Sequence, residues 1–147
     1  MRFPLLVLSV ALLAWTSAGQ TPADYAKFLA KAAAEPGAVK TPSGLVYSEL
    51  KPGTGASPRA TQVVKVNYRG TLIDGKEFDS SYKRNMPIEF PLNQVIPCWT
   101  EGVQRMKVGG KSKLVCPASI AYGDRGSPPV IPGGATLVFE VELLGIQ

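Results

Sequence analysis

Two segments of strict alternation constrain this chain more than anything else in it. Between residues 62 and 72, Val64, Val66 and Tyr68 alternate with Lys65, Asn67 and Arg69; between residues 135 and 144, Leu137, Phe139, Val141 and Leu143 alternate with Val138, Glu140 and Glu142. Successive side chains of a strand point to opposite faces, so each segment predicts a strand with one buried and one wet face. Shorter strands are predicted at residues 44–50, 76–79, 88–92 and 111–116, with Asp74-Gly75 as the hairpin turn before the second of these. One short helix pattern lies among them: Trp99, Val103 and Met106 fall at i, i+4 and i+7, leaving Thr100, Glu101, Gln104 and Arg105 for solvent or caps. Several antiparallel strands around one short helix make an α+β domain.

A chain of 147 residues with 45% hydrophobic content suits one domain with one core, and no repeat is visible. The formal charge of +5 is mild and its basic residues are spread along the chain, so no nucleic-acid partner is expected. The first 18 residues have the pattern of a signal peptide: Arg2, an apolar run from Leu5 to Ala14, then Thr16-Ser17-Ala18 as small residues for cleavage after Ala18 or Gly19. The run is short for a membrane span, so no stable span is expected, with an uncleaved tether as the alternative. Three parts follow: residues 1–18 as leader, 19–41 as a short helical extension, and 42–147 as the folded domain. In the extension Thr21 can cap a helix, Pro22 suits its first turn, and Pro36-Gly37 ends it. Its stripe of Tyr25, Phe28 and Leu29 can dock on the body or on a partner.

Cys98, at the start of the Trp99 helix, and Cys116, at the end of the strand at 111–116, are the two cysteines. For an exported protein, in periplasm or medium, they are read as one bridge, the alternative being two buried free thiols. Residues 121–134 form a long connection without a strand or helix pattern, and such loops tend to be binding loops or lids. Tyr122 and Ile131 are its expected anchors.

The chain has no histidine, which removes the commonest general base and metal ligand. No phosphate-binding loop, dinucleotide fingerprint or C-x-x-C pair occurs, and the carboxylates Asp79 and Glu89 lack a polar cleft pattern around them. An enzyme built from these residues must need no nucleophile, metal or organic cofactor. Rotation about a prolyl peptide bond is such a reaction, because its barrier of roughly 18–20 kcal/mol is amide resonance alone.

Four motifs then carry a resemblance: Val66-Asn67-Tyr68-Arg69-Gly70; Gly75-Lys76-Glu77-Phe78-Asp79-Ser80-Ser81; Val95-Ile96-Pro97-Cys98-Trp99-Thr100-Glu101-Gly102; and Ala121-Tyr122-Gly123 with Ile131-Pro132 and the strand from Ala135 to Leu143. In this order and spacing, residues 42–146 resemble the FKBP family of peptidyl-prolyl cis-trans isomerases. The resemblance implies a twisted antiparallel sheet wrapped around the Trp99 helix, with a substrate proline over the indole. It implies catalytic roles for Tyr68, Phe78, Asp79, Trp99, Tyr122 and Phe139, and substrate contacts from Val95, Ile96, Ile131, Arg84 and Ile88. Tyr122 hydroxyl and Ile96 N–H would donate to substrate carbonyls, and Arg84 would pair with Asp79. Proline-containing polypeptides are the implied substrates, macrolides such as tacrolimus or rapamycin the implied inhibitors, and no cofactor or metal is implied. Ile88 stands where many members carry an aromatic residue, Ser127 where eukaryotic members often carry histidine, and Cys98 commonly corresponds to glycine. The leader and short helix are similar to secreted bacterial members of the Mip and FkpA type. The long dimerisation helices of those proteins are missing, so a monomer is expected, with a dimer through Tyr25, Phe28 and Leu29 as the alternative. A non-catalytic peptide-binding module or folding chaperone is the competing function.

Overall fold

The computed structural model describes residues 20–147, and the expected leader, residues 1–18, lies outside them. Along the described residues run α1 (Pro22–Ala33), β1 (Val39–Lys40), β2 (Val46–Lys51), β3 (Val63–Leu72), β4 (Glu77–Ser80), β5 (Ile88–Pro91), α2 (Pro97–Gln104), β6 (Lys111–Cys116) and β7 (Leu137–Ile146). The strands form one antiparallel sheet in the order β1-β2-β6-β7-β3-β4, and β5 pairs with β3 beside β4. The two segments of strict alternation are neighbours at its centre: β3 runs against β7 from Val64↔Ile146 to Leu72↔Leu137. Val64, Val66, Tyr68, Leu137, Phe139, Val141 and Leu143 are each at most 5% exposed. On the opposite face the register sets Arg69 across from Glu140 and Lys111 across from Glu142, so opposite charges alternate along the wet side.

The predicted strand ends move by a residue or two for local reasons. Thr41 N–H donates to Leu45 O, which makes residues 41–45 a tight turn between β1 and β2 and delays β2 to Val46. Ala135 N–H donates to Pro132 O, so β7 starts at Leu137. The two-residue β1, paired with Tyr47 and Val46, carries no alternation a sequence reader could use.

Helix α2 has Pro97 in its first turn, where a missing N–H costs nothing. Its apolar stripe is buried as the spacing predicts, with Trp99 at 4%, Val103 at 0% and Met106 at 2% exposure. The helix comes so close to β6 that a Cβ on Gly102 would lie 2.2 Å from Leu114 Cδ2, so the fully buried Leu114 would have to move to admit a side chain there. Cys98 and Cys116 are bridged across the same contact with Cα atoms 5.8 Å apart, leaving no free cysteine. In the chain-entropy picture a loop of this length stabilises by about 3 kcal/mol.

Helix α1 covers the other face. Thr21 and Asp24 form a reciprocal capping box at its start. Phe28, Leu29, Ala32 and Ala33 pack with Val46, Val115 and Val138, while Tyr25 joins the main core. The apolar stripe of the extension is therefore spent on this chain's own sheet. No helix among the described residues is long and apolar enough to cross a membrane.

Candidate active site

A cavity of about 390 Å3 opens between β3, β4, β5, α2, β7 and the loop after β6, within the size range of small-ligand sites. Trp99 is its floor. Tyr68, Phe90 and Phe139 meet the indole at interplanar angles of 82°, 86° and 88°, with centroids 5.1, 5.6 and 5.4 Å away. Three rings standing perpendicular to a fourth make walls around it, and edge-to-face pairs of this kind add about 0.5–1.5 kcal/mol each beyond burial. Phe78 extends the wall by standing at 87° to Phe139. Room for these rings comes from Gly70: a Cβ there would sit 2.6 Å from Phe78 Cζ and 2.9 Å from Phe139 Cε1.

One polar cluster interrupts the apolar lining. Tyr68 Oη–H donates to Asp79 Oδ2, Arg84 Nη1 donates to Asp79 Oδ1 at 2.7 Å, Ser80 N–H donates to the same oxygen at 2.9 Å, and Arg84 Nη2 donates to Tyr68 Oη at 3.1 Å. Burial alone would push the Asp79 carboxyl up, but the bonds from Tyr68 and Arg84 and the Arg84 charge together hold it below its ordinary value. Burial first, and donation to Asp79 second, push Tyr68 up to about 12, against the smaller opposing pull of Arg84. At neutral pH the site therefore contains a neutral phenol, a carboxylate and a guanidinium. The buried Ser81 keys this cluster to the sheet: its Oγ accepts the Tyr68 N–H at 2.8 Å and donates to Asn67 Oδ1 at 3.0 Å, and its N–H donates to Tyr68 O at 2.9 Å.

Two donors at the mouth are free. Among the described residues, neither Ile96 N–H nor the Tyr122 hydroxyl is engaged in a hydrogen bond, and both residues line the cavity. Tyr122 is 41% exposed, so the loop at residues 121–134 is anchored by Ile131 alone of the two expected residues. Ser127 and Ile131 exchange backbone hydrogen bonds at 2.9 and 3.0 Å, which folds the loop tip into a small hairpin.

The structure brings Tyr68, Phe78, Asp79, Val95, Ile96, Trp99, Tyr122 and Phe139 to one cavity, as the motifs lead one to expect. Three expected substrate contacts stand elsewhere. Arg84 is outside the lining, held on Asp79 and Tyr68 with its side chain half exposed. Ile131 is buried at 4% in the main core, and Ile88 packs half-buried in β5 opposite Val66, both outside the lining. The aromatic wall on that side is Phe90, two residues further along the same strand face, and Gln94 also lines the cavity. Alternation in Ile88-Glu89-Phe90 puts both apolar residues on one face, so Phe90 was an available candidate.

A family model for FKBP-type peptidyl-prolyl cis-trans isomerase matches residues 55–144. FkpA of Aeromonas hydrophila is 55% identical over 121 residues, covering 82% of this chain and 45% of that protein. The FKBP-type 22 kDa isomerase of Escherichia coli is 48% identical over 124 residues, covering 84% of this chain and 60% of its own length. The crystal structure of Escherichia coli FkpA superposes with a TM-score of 0.82 at 50% identity, over 85% of this chain and 58% of that one. A solved isomerase from Pseudomonas syringae pv. tomato superposes at 0.79 and 41% identity, over 84% of this chain and 90% of that one. The chain thus spans about half the length of the FkpA relatives it matches. With the fold, the order of the four motifs and the matched segment in agreement, this chain belongs to the FKBP-type peptidyl-prolyl cis-trans isomerase family.

Proposed function

We propose that this protein accelerates cis-trans rotation about X-Pro peptide bonds in exported polypeptides, without covalent chemistry. The observation that carries the reading is an aromatic cavity floored by Trp99 with two unengaged donors, Ile96 N–H and Tyr122 Oη, at its mouth. Uncatalysed rotation takes tens to hundreds of seconds because the C–N bond must lose its double-bond character. A planar amide is more polar than the twisted one, so walls made of Tyr68, Phe78, Phe90, Trp99 and Phe139 disfavour the planar ground state relative to the twisted state. Ile96 N–H and Tyr122 hydroxyl hold the flanking carbonyls in a bent geometry, and that binding is realised best at the transition state. Asp79 fixes the Tyr68 ring and supplies a negative edge to the mouth, with Arg84 as its positioning partner. The residues carry this role without a general base, which fits a chain that has no histidine.

The same reading takes residues 1–18 as a cleaved leader, 19–41 as a helical extension and 42–147 as the isomerase domain, in a monomer. Support for export comes from the bridged cysteines, which persist in oxidising compartments; mass spectrometry of the secreted protein should show a start at Gly19 or Gln20. Support for a monomer comes from the burial of Tyr25 and the packing of Phe28 and Leu29 within one chain. Macrolides such as tacrolimus or rapamycin are expected to compete for the cavity. A second reading, a peptide-binding chaperone without catalysis, is favoured by the exposed apolar surface of Met86 at 65%, Tyr82 at 41% and Tyr122. A protease-coupled assay on a Leu-Pro tetrapeptide separates the two: acceleration proportional to enzyme is expected, and none would leave the binding role.

A further inference from the structure

A second cavity, of about 490 Å3, adjoins the first, and Val95 lines both. Val95, Pro97 and Ile120 give it an apolar lining; Asn93, Glu101 and Gln104 give it polar groups from the turn before α2 and from the α2 face turned away from the core. Glu101 is the single charged residue in that lining.

The two cavities meet at Val95, next to one of the free donors. Ile96, whose N–H is free, lines the first cavity, and its neighbour Pro97 lines the second. On the isomerase reading, a polypeptide held at Ile96 N–H with its proline over Trp99 would run a flanking arm beside Val95. An extended arm advances about 3.3 Å per residue, so two to four residues carry it roughly 7–13 Å past Val95, the residue the two cavities share. There Glu101 retains capacity for a cation. Ser43 Oγ–H donates to its Oε1, while its Oε2 meets Arg105 only at 3.8 Å, an i,i+4 pair whose arginine side chain is 43% exposed and which an incoming cation can replace at small cost. Gln104 Nε2 donates to Thr100 O at 2.7 Å, which leaves its amide oxygen as an acceptor for the same cation.

We propose that this groove is a flanking subsite, taking the segment two to four residues from the isomerising proline and favouring Lys or Arg there through Glu101. The proposal rests on the isomerase reading above, and its test keeps the two apart. Exchange rates by NMR would be measured with the chain from residue 19 onward, on an Ala-Leu-Pro-Phe tetrapeptide and on decapeptides carrying Lys or Glu at those distances, on either side of Leu-Pro.

The Lys decapeptides on one side should show about fivefold higher kcat/KM than their Glu counterparts at low salt, the scale expected of a rim charge. Glu101→Gln should bring that ratio below about twofold, and Glu101→Lys should reverse it, with tetrapeptide turnover unchanged in both because Glu101 is outside the first cavity. Equal kcat/KM for Lys and Glu decapeptides, with normal tetrapeptide turnover, overturns the subsite alone. A Lys preference that survives in both variants overturns the role of Glu101. Failure to turn over the tetrapeptide overturns the isomerase reading itself.

Discussion

The two faces of the central sheet are both covered by a helix, yet they end as different materials. Under α1 the contact is aliphatic apart from one ring: Phe28, Leu29, Ala32 and Ala33 lie on Val46, Val115 and Val138. Under α2 it is made of Trp99, Tyr68, Phe90 and Phe139, whose rings stand nearly perpendicular to the indole and leave a cavity among them. Burial is similar: Val115 is 1% exposed and Trp99 is 4%. The difference is one of arrangement rather than burial: a single ring lies among the aliphatic side chains under α1, whereas four rings set edge to face under α2 border an open cavity.

Truncation should break the α2 face hardest. Trp99→Ala removes both floor and core, and is expected to lose about 3–5 kcal/mol of stability and all measurable isomerase activity; urea unfolding and the tetrapeptide assay read the two. Removing the bridge comes next: Cys98→Ala with Cys116→Ala should lower stability by about 3 kcal/mol while leaving the activity of the folded fraction within a few-fold of the parent. On the α1 face Val115→Ala should cost about 2 kcal/mol through lost methyl burial and a small void, with kcat/KM unchanged. A large drop in kcat/KM there would join the two faces functionally and dissolve the contrast.

Asp79→Asn should alter stability by no more than about 1 kcal/mol, because the ion pair with Arg84 is more than one-third exposed on both sides. Activity should still fall about tenfold or more, since the phenol of Tyr68 loses its charged acceptor.

The smallest effect is in pH. Asp79 has a lowered value in the folded state, so its stabilising contribution is complete above the ordinary Asp value near 3.9 and is lost as pH falls through the still lower folded value. Tyr68 runs the other way. The folded protein keeps a proton that the unfolded chain gives up near pH 10, so stability should decline between about pH 10 and 12. Urea midpoints across pH should therefore be flat near neutrality, and a loss beginning near pH 6 would contradict the assignment of Asp79.

Much of this is legible in the sequence. The alternation of Val64, Val66 and Tyr68 and of Leu137 to Leu143 located the centre of the sheet, and the i, i+4, i+7 spacing of Trp99, Val103 and Met106 located the helix beneath the cavity. What stayed hidden depends on register and on approach distance. Ile88 and Phe90 share a strand face, and only the pairing of β5 with β3, Phe90 opposite Val64 and Ile88 opposite Val66, decides which side chain reaches Trp99. Gly70 looked like a motif letter until the rings of Phe78 and Phe139 filled its missing Cβ. For α1 the apolar stripe was plain, but nothing local told sheet from partner; Val46, Val115 and Val138 had first to come together from three strands.

The floor of the cavity has one more consequence. Trp15 lies in the expected leader, and Trp99 is the single tryptophan of the described residues. If the leader is cleaved as proposed, the indole emission of the remaining chain would come from the cavity alone, and its intensity and wavelength should change when an occupant displaces water from the ring. Affinities become measurable with unlabelled protein, against a background in which no second indole competes.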